Sequence, residues 1–308
     1  CFPNIPQLIT CHDLTPLHYP NSRKAWLKYR LWQPRHLACA SHIVAISRHV
    51  ADGLISFGVS PDRIVVVPNG IEVLRPPVQA PVSEDLLAIA RHDSNKNLVG
   101  LLHALATAQQ QLPHWRGVLR IVGRGVASSA ELQGLRSALP RPDGLELIQQ
   151  LDSGQLLATL RSSLALVSAS FEEGFDYPVL EAKAEGVPTL LSEIPVHTEF
   201  HANSSLFFPI EEGGRVFASE LSRLLNDGQL WKDLTDDEKA PFQASSEKLR
   251  ATYHDLMKDY KPDHKVSTSK GAKFDVDQTH DAPDGWSGPF AMKYLYRKVK
   301  DAEGKHVR

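Results

Sequence analysis

The sequence contains no uninterrupted apolar run approaching the ~20 residues that a membrane-spanning helix needs. It also shows no charged stretch leading into an apolar one near its start, so no secretory leader is expected. Only three of its 308 residues are cysteines, Cys1, Cys11 and Cys39, and no CxxC pair occurs. Neither a disulfide framework nor a zinc site is indicated, and thiols in a reducing, cytoplasmic compartment are the expectation. An excess of either charge is missing too: 34 basic side chains face 36 acidic ones, for a formal net charge of -2. That balance gives no global reason to bind nucleic acid or an anionic membrane, and nucleic acid is not expected as a partner. Fourteen histidines are scattered without a ligand-like constellation, so no bound metal is expected. Solenoid-type repeats are absent.

What is present is 42% apolar content organised as short apolar runs between amphipathic stretches. This pattern predicts an α/β fold, with parallel strands covered by helices. In the first part, strands are expected at residues 7–11, 42–46 and 63–67, with a basic helix over about 22–36. Residues Leu74 to Pro81 carry three prolines, which fit neither a helix interior nor a central strand and read as an interdomain hinge over 75–82. A second series begins at Leu86. Strands are predicted at 86–90, 117–122, 145–148, 164–168 and 188–191, with helices at about 97–112, 129–138, 154–162 and 179–186. Two such series place a cleft between them, and ligands of doubly wound sheets sit at carboxyl strand ends beside helix N-termini. From Trp231 the composition changes: residues 231–262 read as a charged helical segment. Residues 261–308 carry ten basic and seven acidic side chains and few aliphatics, and 263–308 read as a weakly structured tail.

The strongest constellation is Glu173-Gly174-Phe175-Asp176-Tyr177-Pro178-Val179-Leu180-Glu181, which follows the strand at 164–168. Two carboxylates at one sheet edge can accept hydrogen bonds from several hydroxyls, as a sugar or a ribose would offer, although a solvated helix start favoured by its dipole gives the same pattern. This segment, together with the rest of residues 7–230, resembles the retaining glycosyltransferases of family 4. Their motif is Glu-Gly-Phe-Gly-x-Pro with a second Glu eight positions after the first, and only Asp176 departs from it. The resemblance implies the GT-B architecture of two Rossmann-like domains, here with residues 1–74 as the later part of the first (acceptor) domain and 83–230 as the donor domain. The family's first domain opens with a glycine-rich loop and strands not found here, and the chain begins at Cys1 rather than Met, so a segment missing from the front is expected.

By resemblance the donor is a nucleotide-diphosphate sugar and no cofactor is permanently bound. Glu173 would contact the donor sugar and Glu181 the ribose. Arg91 and Lys96 would hold the pyrophosphate, and His12 would stand across the cleft. Gly123 and Gly125 would let the nucleotide approach, with Gly174, Phe175, Pro178, Val179 and Leu180 completing the donor loop. Ser47 and Glu199 fall at further recurrent positions, Glu199 with a structural role equally open. Asp for Gly at 176 is tolerable if the backbone there is left-handed, but it would add a carboxylate beside the donor. The reaction implied is metal-independent, retaining hexosyl transfer to an acceptor hydroxyl of a glycan, lipid or small molecule. A sugar-nucleotide epimerase of the same fold is an alternative.

Two stretches lie outside that picture. Arg23, Lys24, Lys28, Arg30 and Arg35 interleave with Trp26, Tyr29 and Trp32. This suits either peripheral contact with anionic lipid or a helix whose aromatics enter the core. Residues 231–262 weakly resemble the second half of a high-mobility-group box, which keeps open a DNA-binding or chromatin-associated chimera, or a junction of two unrelated pieces.

Overall fold

The computed structural model describes residues 8–70, 81–211 and 213–236. Strand β1 (Leu8–Cys11) is followed by a short helix α1 (Thr15–His18), helix α2 (Arg23–Cys39), β2 (His42–Ala45), α3 (Arg48–Ser56) and β3 (Ile64–Val66). The three strands pair in parallel in the order β1-β2-β3, with Ile43 opposite both Ile9 and Ile64. Serines start the helices where expected. The hydroxyl of Ser22 accepts from the Ala25 N–H, and that of Ser47 from the Val50 N–H, satisfying donors that a helix start leaves open.

The second unit runs β4 (Leu86–Ile89), α4 (Leu98–Gln111), β5 (Leu119–Val122), α5 (Ala130–Ala138), β6 (Leu145–Ile148), α6 (Ser153–Ser162) and β7 (Ala165–Ser168). It continues through α7 (Tyr177–Ala184), β8 (Thr189–Ser192), α8 (Pro195–His201), β9 (Leu206–Phe208), α9 (Gly213–Asn226) and α10 (Gly228–Asp236). Its six strands are all parallel, in the order β6-β5-β4-β7-β8-β9. Such a sheet is wound outward from its middle in both directions. The chain leaves β4 toward one edge and returns to start the other half at β7, so a crevice opens where the carboxyl ends of β4 and β7 diverge. Leu86 and Leu87 of β4 are fully buried, because apolar layers cover both faces of the sheet, one against α4 and α9 and the other against α6 and α7.

Four findings refine the sequence reading. Strand β9 and helix α9 were not anticipated. In α9, Phe217, Ala218, Leu221 and Leu224 form the buried stripe of an amphipathic helix. The boundary at Trp231 falls inside α10: Trp231 and Leu234 are buried in the second unit's core, and the indole N–H donates to the Leu164 carbonyl at 3.0 Å. The change of composition there is an amphipathic helix turning its polar side outward, and the rest of 231–262, the tail at 263–308 and most of the hinge lie outside the described residues. Thirdly, Trp26, Leu27, Leu31 and Trp32 of α2 are exposed, so the expectation that its aromatics enter the core fails. The helix packs by Leu37 and the half-buried Ala25 and Tyr29. Lastly, Cys39 is disulfide-bonded while Cys11 is a buried free thiol, which corrects the expectation of thiols throughout.

The two units meet closely. Phe175 and Leu180, which belong to the second, are buried in the apolar cluster of the first, with Leu14 and Val50. Glu199 on α8 accepts from the backbone N–H groups of Arg48 and His49 at 2.8 and 3.2 Å, so a carboxylate of one unit caps the N-terminus of α3 in the other.

Candidate active site

The turn after β4 and the loop after β7 face each other across the crevice. Lys96 and Glu173 meet there, with Nζ 2.7 Å from Oε1 and both side chains largely buried. Their approach is set by backbone as well as charge. The Phe171 N–H donates to the Asn95 carbonyl at 2.7 Å, and the Asn95 amide donates to the Glu172 carbonyl at 3.1 Å. Two strand-end loops about eighty positions apart in the chain are thus tied as a miniature ladder. Asn97 then takes a left-handed conformation, φ 47°, and caps α4 through its side chain.

A cleft of about 370 Å³ opens over this pair. One wall is Arg91, Asp93, Asn95, Lys96, Gly123 and Glu173 of the second unit; the other is Asp13, Thr15, Tyr19 and Asn21 of the first. Tyr19 and Phe171 stack across the junction with nearly parallel planes and ring centres 5.8 Å apart. Arg91 is well exposed and pairs with Asp93 at 2.9 Å, so its guanidinium is held at the rim. A Cβ on Gly123 would overlap the Ala90 carbonyl, and Gly125 sits at φ 87°, so both glycines are demanded by the turn itself. Gly174 is demanded by the other unit: any side chain there would strike the His12 carbonyl.

Asp176 occupies the left-handed region, φ 60°, as the sequence anticipates for a position where Gly is usual. Its carboxylate does not join the cleft. It is turned inward and buried, accepting from the Ser168 hydroxyl at 2.6 Å and from His197 Nε2 at 3.1 Å. His197, also fully buried, lies with Nδ1 2.8 Å from the Ser192 carbonyl, so the ring bridges that carbonyl and Asp176. The expected extra carboxylate beside the donor is therefore a buried strut between α7, β7 and α8.

The charges are interdependent. Burial disfavours the Lys96 ammonium, but Asp176 and Glu173 outweigh it and raise its pKa above the ordinary amine value. Burial also opposes ionisation of Asp176, yet Lys96 and His197 hold that carboxyl far below the usual range. Burial and the neighbouring Asp176 push Glu173 up, against the pull of Lys96. Glu181, on α7 and outside the cleft lining, has its pKa raised by partial burial of the carboxyl and by Asp176. His12 is half-buried at the end of β1, with burial lowering its pKa; Asp13 lines the cleft beside it. The side chains of Phe175, Val179 and Leu180 are buried in core, and Pro178 sits in the first turn of α7, where it removes no needed N–H. Phe175, Val179 and Leu180 shape the loop and offer a ligand only their backbone. Among the described residues, no group of three or more His, Cys, Asp or Glu is arranged to hold a metal ion.

Asn95, Asp13, Glu172 and His197 were missed as participants. Only Asn95, beside Lys96, had a local signal. Glu172 binds His18 at 2.8 Å and lies 3.6 Å from His49, joining residues of the two units that no local pattern relates.

Residues 75–239 match the family described as glycosyl transferases group 1, and residues 1–75 the one described as Glycosyltransferase Family 4. The O-antigen chain mannosyltransferase RfbU of Salmonella typhimurium is 24% identical over 202 residues, covering 65% of this chain and 56% of that protein. A GDP-mannose:cellobiosyl-diphosphopolyprenol alpha-mannosyltransferase of Xanthomonas campestris is 30% identical over 159 residues, 50% of this chain and 41% of that one. The chain thus spans about half the length of these curated relatives. Among solved structures, Anabaena HepE in complex with UDP and glucose superposes with a TM-score of 0.66 at 18% identity, covering 82% of this chain and 72% of that one. That likeness is one of fold, and it agrees with the expected pair of Rossmann-like units, the first of them with three described strands.

Proposed function

The chain belongs to the glycosyl transferases group 1 family, and on that footing we propose that it transfers a hexose from a nucleotide-diphosphate donor to an acceptor hydroxyl, with retention and without a catalytic metal. The observation that carries this reading is the Lys96–Glu173 contact at the switch point of the six-stranded sheet, in a cleft closed by the other unit. Negative charge grows on the diphosphate as the glycosidic bond breaks. Lys96, kept protonated by two carboxylates, and Arg91 at the rim stabilise that charge. Glu173, fixed by Lys96, accepts hydroxyls of the sugar, Glu181 those of the ribose, and the Gly123 to Gly125 turn admits the nucleotide. His12 completes the far wall. Because Glu173 is engaged by Lys96 and Asn95, it is poorly placed as a free nucleophile; positioning and electrostatics supply the rate. The names of the curated relatives make GDP-mannose the first donor to try, and the UDP-bound neighbour makes UDP-glucose the second.

The acceptor is proposed to be a lipid-linked glycan at a cytoplasmic membrane surface, approached through α2. Its exposed Trp26, Leu27, Leu31 and Trp32 lie among five basic residues, with Arg30 over the Trp26 ring at 5.8 Å. No helix among the described residues is long and apolar enough to cross a membrane.

The test is Lys96→Ala. Turnover, measured below the variant's own lowered melting temperature because Glu173 and Asp176 lose a buried partner, is expected to fall by about 100-fold or more, with activity insensitive to EDTA in the wild type. Unaltered turnover in the variant refutes the role, and stabilisation of the wild type by nucleoside diphosphates in a thermal-shift assay reports the site independently of any acceptor.

A further inference from the structure

The loop between β7 and α7 carries Glu173 to the cleft, and its two ends are fastened to each other. Ser168, the last residue of β7, donates its hydroxyl proton to Asp176 Oδ2 at 2.6 Å, and Asp176 is the residue from which α7 starts. His197 Nε2 lies 3.1 Å from the same oxygen, while its Nδ1 is 2.8 Å from the Ser192 carbonyl. A serine hydroxyl has one proton, and that of Ser168 is given to Asp176; the Ser170 hydroxyl, 3.4 Å away, is therefore the donor to Ser168. Ser192 closes the ring of contacts by donating to the Ser170 carbonyl at 2.7 Å. Ser170, Asp176, Ser192 and His197 are buried, where such bonds are costly to lose, and none of these residues lines the cleft. On the cleft side, Lys96 and the Asn95 amide hold Glu173 at 2.7 and 3.4 Å. A ligand that draws Lys96 toward a diphosphate leaves that carboxylate dependent on the loop beneath it.

We propose that Ser168, Asp176 and His197 form a clasp at the base of this loop that positions Glu173 for the transferred sugar, which makes them positioning residues of the reaction. This inference rests on the transferase reading above. Glycine, the residue of the family motif at 176, has no side chain with which to accept from Ser168, so the clasp belongs to this chain's departure from the motif. It acts on the loop after β7 and leaves the turn after β4, which carries Arg91 and Lys96, untouched. Sugar and diphosphate are thereby separable: the clasp governs the group that meets the sugar and not the groups that meet the diphosphate.

The experiment measures release of nucleoside diphosphate from GDP-mannose and UDP-glucose, with water as the hexose acceptor, and calorimetric Kd values for GDP and UDP. It compares the wild type with Ser168→Ala, Ser168→Thr, Asp176→Gly and the double variant Ser168→Ala/Asp176→Gly, each below its own melting temperature. Ser168→Ala removes the hydroxyl of the clasp and leaves the charges of Lys96, Glu173 and Asp176 in place. Its kcat is expected to fall about tenfold, with the diphosphate Kd within about twofold of the wild type, because the diphosphate is held from the other loop. Ser168→Thr keeps a hydroxyl and should restore kcat to within about threefold. Asp176→Gly should lose at least as much as Ser168→Ala, although glycine suits φ 60° better. The double variant should lose no more than Asp176→Gly alone, since both substitutions open the same clasp. Unchanged kcat in Ser168→Ala overturns the proposal, as do equal losses in kcat and diphosphate affinity, failure of Ser168→Thr to restore kcat, or additive losses in the double variant. A wild type that binds neither GDP nor UDP and releases neither from its sugar ester refutes the transferase reading itself, which the other failures leave standing.

Discussion

The two sheets differ in how they are covered. The six-stranded sheet has its own apolar layer on each face, whereas the cluster on the three-stranded sheet is completed by Phe175 and Leu180 from the other unit. These two residues flank the first turn of α7, directly after the loop that carries Glu173. The smaller unit therefore uses the active-site loop as part of its core, and the loop is in turn held from both sides. Stability of the junction and geometry of the cleft are one property here.

The largest effect is expected from cutting that shared core. Phe175→Ala removes a buried ring that packs on Phe200 at 4.8 Å and on Tyr177, and should cost about 3–5 kcal/mol in denaturant unfolding. A loss below 1 kcal/mol would mean that the three-stranded unit does not depend on it. Next comes Gly174→Ala, whose methyl group would meet the His12 carbonyl; an overpacked contact of this kind costs about 1–3 kcal/mol. It should push the walls apart, so nucleotide affinity should fall together with stability.

The smallest effect concerns the Glu172 pairing with His18 and His49. Burial resists ionisation of Glu172, but the two histidines hold its pKa below the ordinary 4.5; hydrogen bonding to Glu172 lifts His49 above its ordinary 6.5, against burial. The carboxylate's contribution is present above pH 4.5 and lost as pH falls through its depressed value. That of His49 is complete below pH 6.5 and lost as pH rises through its raised value. Glu199 and Asp52 also face His49 and add to the same trend. Glu172→Gln should therefore destabilise most between these limits, by less than about 1 kcal/mol because His18 is exposed, and hardly at all near pH 9. A pH-independent difference would show that the pair does not join the units.

Much of this was legible in the sequence for a physical reason that differs between elements. Buried parallel strands are continuous apolar runs, so β4 and β7 were placed to within one residue. Helix starts were marked by Ser22, Ser47 and Ser129, whose hydroxyls do the capping. Strand β9 escaped although β3, equally short, was placed, and α10 escaped because its burial rests on two positions, Trp231 and Leu234. In the site, Lys96 and Glu173 were singled out by the family motifs that carry them, and the fold brings the two side chains within 2.7 Å of each other. The inward turn of Asp176 was not, because its partner His197 lies twenty-one positions on and only packing brings them together.

By itself the sequence determined the alternation of strands and helices, the cleft-facing turns and the left-handed position at 176, all of which follow from local sterics and periodicity. Tertiary structure alone decided which carboxylates face the cleft, which are struts and which join the units. A carboxylate's task depends on the charges and donors within a few ångströms of it, and for Glu172, Asp176 and Glu199 those neighbours come largely from distant parts of the chain.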